Sequence, residues 1–222
     1  PRPGASPRLK HGPRAVVFGC AGPGLSPEES RFFAECDPLG FILFARNVES
    51  AAQIQALVTS LRAAVGRADA PVLIDQEGGR VQRLGPPQWR AAPPARAFGR
   101  LHARDRAAAA EAAHLNARLI AHDLAALGIT VDCAPVADVP VPGAHDIIGE
   151  RAFGIEPEMV GDLARATALG LLEGGVLPVM KHIPGHGRAR SDSHAELPVV
   201  DASRAILEAS DFHPFRALAA DI

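Results

Sequence analysis

Short apolar runs alternate with longer segments of helical spacing along this chain, and that alternation constrains the fold more than any other feature. The runs at residues 15–19, 40–44, 71–75, 130–134 and 178–182 read as strands. Residues 27–36, 51–65, 107–127, 157–173 and 202–220 carry apolar side chains three and four apart and read as helices. Strand and helix in strict succession predict βα units around a parallel sheet. In the third helix, Leu115, Leu119, Ile120, Leu124 and Leu127 are expected to form one apolar stripe. Ser26 and Ser50 are placed to cap helices, Pro157 suits a first helical position, and Gly128 and Gly174 follow helix ends. Pro214 is expected to break or restart the last helix, and residues 84–100, with the single tryptophan Trp89, form a long excursion in the third unit.

Five such units fill residues 1–222, which read as a single domain. A (β/α)8 TIM barrel typically needs about 250 residues. The expected fold class is therefore α/β, a TIM barrel cut off after about five βα units. A flavodoxin-like open sheet, which also has five strands, is the alternative.

The chain has 23 basic and 25 acidic residues, a net charge of −2, and no block of one sign. Nucleic acid is therefore not an expected partner, and a small molecule is. Cys20, Cys36 and Cys133 are far apart and odd in number, which excludes a fully paired disulfide framework and suggests the cytoplasm. No apolar run reaches the roughly 18 residues of a membrane span, and the first residues lack the apolar core of an export signal. The chain starts at Pro1, which leaves a processed start open.

Two stretches at strand ends carry the chemistry. The richest is residues 181–194, KHIPGHGRARSDSH, which holds three of the nine histidines. In parallel-barrel enzymes the loops after the strands hold the reacting groups. Asp192 lies two residues from His194, close enough for a carboxylate to orient an imidazole for acid/base work. The same loop also reads as a turn whose histidines cap backbone groups. A divalent-metal site of His182, His186, Asp192 and His194 is the least favoured reading, because no recognised spacing such as HExxH is present and Lys181 adds a cation. Gly185 and Gly187 bracket His186 and suggest a loop that opens and closes over a ligand.

The second stretch, residues 73–84, LIDQEGGRVQRL, offers Asp75 as an acceptor for hydroxyl groups, with Arg83 reaching in; the alternative is that Asp75 only caps the turn. On the loop after the fourth strand, Arg151 is a candidate ligand contact or the partner of Glu150 or Asp146.

The segments GFILFARN (40–47), LIDQEGGRVQRL (73–84), DCAPVADV (132–139), IGERAFG (148–154) and KHIPGHGRARSDSHAELPVVD (181–201), taken together and in this order, resemble bacterial β-N-acetylglucosaminidases of glycoside hydrolase family 3, the peptidoglycan-recycling type. The resemblance runs from about residue 13 to the end. It implies a barrel and a retaining exo-β-N-acetylglucosaminidase that removes non-reducing terminal GlcNAc from muropeptides such as GlcNAc-1,6-anhydroMurNAc. It implies no cofactor and no metal, and a monomer is the default expectation. By matching positions it makes His194 the general acid/base and Asp192 its partner, and gives Asp75, Arg83, Arg151, Lys181 and His182 to sugar binding. The family's nucleophilic aspartate is expected beyond residue 222, so these residues alone are expected to be inactive and, with open sheet edges, poorly soluble. A metal-dependent hydrolase and a non-catalytic sugar-binding scaffold are the competing functions.

Overall fold

A computed structural model describes residues 12–191 and 196–219. Five parallel strands form the main sheet: β1 (Arg14–Phe18), β2 (Pro38–Leu43), β3 (Val72–Ile74), then β6 (Val131–Asp132) and β7 (Leu177–Pro178). They lie side by side in chain order. A flavodoxin-like sheet would place the first strand inside, between the second and third, so this order excludes it. Stepwise addition of each strand beside the last is how a (β/α) barrel is built. Helices α1 (Pro27–Cys36), α2 (Ala51–Val65) and α5 (Pro157–Glu173) fill three crossovers, and α3 (Ala95–His102) and α4 (Arg106–Ala126) share the long one between β3 and β6.

The caps form as local chemistry dictates. The Ser26 hydroxyl accepts from the Glu29 N–H while the Glu29 carboxylate accepts from the Ser26 N–H, and Ser50 and Gln53 repeat the arrangement on α2. Asp105, which the sequence pattern did not single out, caps α4.

Two expectations are corrected. Strands β6 and β7 are shorter than 130–134 and 178–182: Pro135 lacks an N–H for the ladder and the Val179 N–H is shared between the Asp132 and Ala134 carbonyls, and an isolated parallel bridge from Val136 to Lys181 resumes the pairing beyond them. On α4, Leu115 and Leu119 are 46% and 53% exposed, so they do not share a stripe with Ile120, Leu124 and Leu127. At about 100° per residue, the nine positions between Leu115 and Leu124 put them on opposite sides. The buried face uses small residues instead, Ala113, Ala117 and Ala121, against which Gly170 and Gly174 of α5 pack with no room for a Cβ. As expected at Pro214, the last helical segment is divided, into α6 (Arg204–Ala209) and α7 (His213–Ala219), with Pro214 in the first turn of α7, where its missing N–H costs nothing.

The excursion after β3 is likewise more ordered than its proline content suggests. It holds an antiparallel hairpin, β4 (Gln76–Gly78) with β5 (Val81–Gln82), and then α3. Trp89, half-buried, packs on the main core.

That core lies between the sheet and α1, α2 and α4. At its β1–β2 end, Phe41 is fully buried and meets Phe33 edge-on, with ring centroids 5.1 Å apart, and Phe18 stacks on the far side of Phe33 at 6.0 Å. Phe41→Ala removes a large ring from a site with backbone on both flanks and little means of collapse. The expected loss is about 3–5 kcal/mol in denaturant unfolding of the full-length gene product, and a loss under about 1 kcal/mol would contradict this packing.

Candidate active site

The candidate residues converge where β3, β6 and β7 end. Asp75 directly follows β3, and the β4–β5 hairpin returns the chain so that Arg83 lies beside it, Nη2 3.0 Å from Asp75 Oδ2. The buried Gln76 amide holds the base of this return. Its Nε2 donates to the Leu84 carbonyl at 2.8 Å, and its Oε1 accepts from the N–H groups of Arg83 and Leu84 at 2.9 and 3.0 Å.

Lys181 comes from the resumed strand pairing: its carbonyl accepts from the Ala137 N–H and its own N–H donates to the Pro135 carbonyl. Its ammonium bridges two carboxylates, Asp75 Oδ1 at 2.7 Å and Glu77 Oε1 at 2.6 Å. Arg151, from a single turn at Gly149–Arg151, makes a two-pronged contact to Glu77, Nη2 to Oε1 at 2.8 Å and Nε to Oε2 at 2.9 Å. The expected alternatives Glu150 and Asp146 are not its partners. Arg80 takes both, its guanidinium on Asp146 and its N–H on Glu150. The other edge of Arg151 lies 3.3 Å from Nε2 of His182, whose Nδ1 is 2.6 Å from Asp138 Oδ2. The result is one continuous chain of contacts: Arg83, Asp75, Lys181, Glu77, Arg151, His182 and Asp138.

Burial opposes ionisation in this chain, and the pairing overrides it. For Asp75 burial raises the carboxyl, but the Lys181 charge and the hydrogen bonds from Lys181 and Arg83 hold it below its ordinary value. Lys181 and Arg151 are both pushed up, because the carboxylates around them outweigh their desolvation. The Cys133 thiol behind Asp75 is pushed up to about 11 by burial and the nearby carboxylates, and stays a thiol. All three cysteines are free, as their spacing predicted.

Asp75, Arg83, Arg151, Lys181, His182, His186 and Cys133 line an open cavity of about 460 Å³. A groove of about 660 Å³ between α3, α5 and α7 is larger, but it lies among outer helices, away from the strand ends. Five of the residues proposed from sequence thus line one pocket, while Asp192 and His194 lie outside the described residues. Among the described residues no three His, Cys, Asp or Glu side chains are grouped as a metal site.

The described part of the loop, residues 182–191, is anchored along its length, its Gly187 and Ala189 carbonyls accepting from the N–H groups of Val141 and His145. Asp138 accepts from the His186 N–H at 2.7 Å, and Arg188 pairs with the buried Asp211 at 2.6 Å. Gly185 uses a backbone φ of +129°. Gly187 has a packing reason besides the conformational freedom expected of it: a Cβ there would sit 2.1 Å from the Val139 carbonyl oxygen.

Glu77, Asp138 and Gln76 were missed. The signal for Glu77 was available, since Asp75 and Glu77 are two apart in extended chain and so share a face. Asp138 gave none, because it meets His182 only through the fold.

The sequence model of the glycosyl hydrolase family 3 N terminal domain matches residues 29–221. A beta-hexosaminidase of Alkalilimnicola ehrlichii is 39% identical over 206 residues, covering 93% of this chain and 58% of that protein. A beta-hexosaminidase of Methylococcus capsulatus is 41% identical over 202 residues, covering 91% of this chain and 58% of that protein. The crystal structure of NagZ from Neisseria gonorrhoeae in complex with N-trifluoroacetyl-D-glucosamine superposes with a TM-score of 0.88 at 36% identity, over 96% of this chain and 62% of that one. The chain therefore spans less than two thirds of the length of each of these relatives.

Beneath the pocket, Asp132 is fully buried. Its Oδ1 accepts from the Gln76 N–H at 3.0 Å, and its Oδ2 has no partner among the described residues. Burial pushes this carboxyl well above 3.8. The folded protein thus keeps a proton that the unfolded chain releases near 3.8, so unfolding releases a proton and stability falls as pH rises through that interval. Asp132→Asn removes the penalty and keeps the acceptor for Gln76. Melting temperature against pH should show the variant gaining on the wild type at neutral pH, with the gain vanishing below about 3.8. A variant that loses stability only at neutral pH would show that Asp132 is ionised there.

Proposed function

Because the chain belongs to glycosyl hydrolase family 3, we propose that it forms the catalytic barrel portion of a retaining exo-β-N-acetylglucosaminidase. Its substrate is the non-reducing terminal GlcNAc of peptidoglycan fragments, GlcNAc-1,6-anhydroMurNAc muropeptides among them, in cytoplasmic cell-wall recycling. The enzyme works as a monomer without metal or cofactor.

The observation that carries this reading is the pocket of about 460 Å³ at the strand ends, lined by Asp75, Arg83, Arg151, Lys181 and His182. Asp75, Glu77 and Asp138 supply three carboxylates, and Arg83, Arg151 and Lys181 supply three cations. A site that is highly polar and balanced in charge suits a neutral sugar, whose hydroxyls both donate and accept. Asp75, held ionised by its two cations, accepts from sugar hydroxyls. Arg83, Arg151 and Lys181 donate to sugar oxygens, and each is fixed in place by a carboxylate. Preorganisation of this kind lowers the entropy lost on binding.

His194, with Asp192 as its partner, gives a proton to the departing glycosidic oxygen. After a covalent glycosyl-enzyme forms, it takes one from the attacking water. An imidazole, which ordinarily titrates near about 6.5, can do both near neutral pH. The nucleophilic carboxylate of this scheme is not assigned to any residue of the chain.

The test is hydrolysis of a chromogenic N-acetyl-β-glucosaminide by the full-length gene product. His194→Ala should lower kcat by about 10²–10⁴, with a smaller loss for a substrate whose leaving group needs no proton. An unimpaired His194→Ala enzyme, or a full-length protein inert toward every N-acetyl-β-glucosaminide offered, would overturn the assignment.

A further inference from the structure

Asp138 is fully buried behind the pocket and is not among its lining residues. Its two oxygens are engaged differently. Oδ1 accepts from two backbone donors, the His186 N–H at 2.7 Å and the His182 N–H at 3.3 Å, while Oδ2 meets the ring of His182 at Nδ1, 2.6 Å away. A carboxylate only accepts, so the ring proton belongs on Nδ1. The opposite end of the ring gives the same answer independently. Nε2 is 3.3 Å from Nη2 of Arg151, and a guanidinium carries donors only, so Nε2 must be the accepting nitrogen.

We propose that Asp138 is a positioning residue that locks His182 in the Nδ1-protonated tautomer, so that the single Nε2 lone pair, which otherwise accepts from Arg151 at 3.3 Å, is taken over by a hydroxyl of the bound amino sugar. His182 is thereby the second acceptor of the pocket, beside Asp75, among three cationic donors. Every ring of sugar hydroxyls needs places to send its protons, and Asp75 by itself offers few. This rests on the reading of the pocket as a sugar site.

The substitution that isolates the effect is Asp138→Asn, equal in size and shape. The two backbone N–H groups hold the amide oxygen where Oδ1 stands, which turns the amide NH₂ toward Nδ1 of His182. Two donors cannot share that contact. The ring then protonates at Nε2, loses its acceptor toward the pocket and faces the Arg151 donors with a hydrogen.

The experiment combines nitrogen-15 NMR of the histidine rings with calorimetric titration of N-acetylglucosamine, on the full-length gene product and on Asp138→Asn. In the wild type the His182 signals should show protonated Nδ1 and unprotonated Nε2, and the Nε2 resonance should move when the sugar binds. The variant should show the reverse ring pattern and affinity weaker by about tenfold, the size of one lost hydrogen bond. If the variant fails to fold, the wild-type spectrum still decides, since a protonated Nε2 there overturns the proposal. A wild type that binds the sugar with Nε2 unmoved, or a variant of unchanged affinity, sinks the acceptor role and leaves the sugar site standing. A wild type that binds no N-acetylglucosamine fails the sugar-site reading itself.

Discussion

Glu77 is the point on which the pocket depends. Its carboxylate is 6% exposed and holds two cations at once, Lys181 through one oxygen and Arg151 through both. A buried carboxylate costs several kcal/mol in lost hydration and survives only when its lone pairs are well used. Here every contact is charge-assisted and between 2.6 and 2.9 Å. Neither cation could keep its position without it. Lys181 would have only Asp75 to lean on, and Arg151 would be left with the Ile147 carbonyl and a histidine.

The sheet makes that arrangement available. Strands laid side by side in chain order bring their carboxyl ends to one rim, so residues far apart in sequence meet there. Lys181 and Asp75 are 106 positions apart, and Arg151 and Glu77 are 74. Local structure then sets the aim of each side chain. The hairpin with its Gln76 brace turns Arg83 back, and the bridge past Pro135 carries Lys181 inward.

What the sequence disclosed follows the range of the forces involved. Caps at Ser26 and Ser50, helix ends and strand succession are local, and residue spacing alone revealed them. The α4 stripe was misread because large apolar residues drew the eye, while close packing against α5 called for alanines. The lining residues Asp75, Arg83, Arg151, Lys181 and His182 were legible because polar residues clustered at strand ends and the motifs were familiar. Their partners were not. Glu77 looked like one more acidic residue, and nothing near Asp138 in sequence hints at a histidine 44 positions away.

The bridge between Val136 and Lys181 gives the polar network a second significance. Strands β6 and β7 share only two residue pairs, Val131 with Leu177 and Asp132 with Pro178, a ladder too short to fix its own alignment. Sliding β7 by one position would turn Lys181 to the other face of the sheet and take one of its two cations from each of Asp75 and Glu77. The charges therefore act as a proofreading device for strand alignment: the rim closes electrostatically only in the register that also builds the pocket.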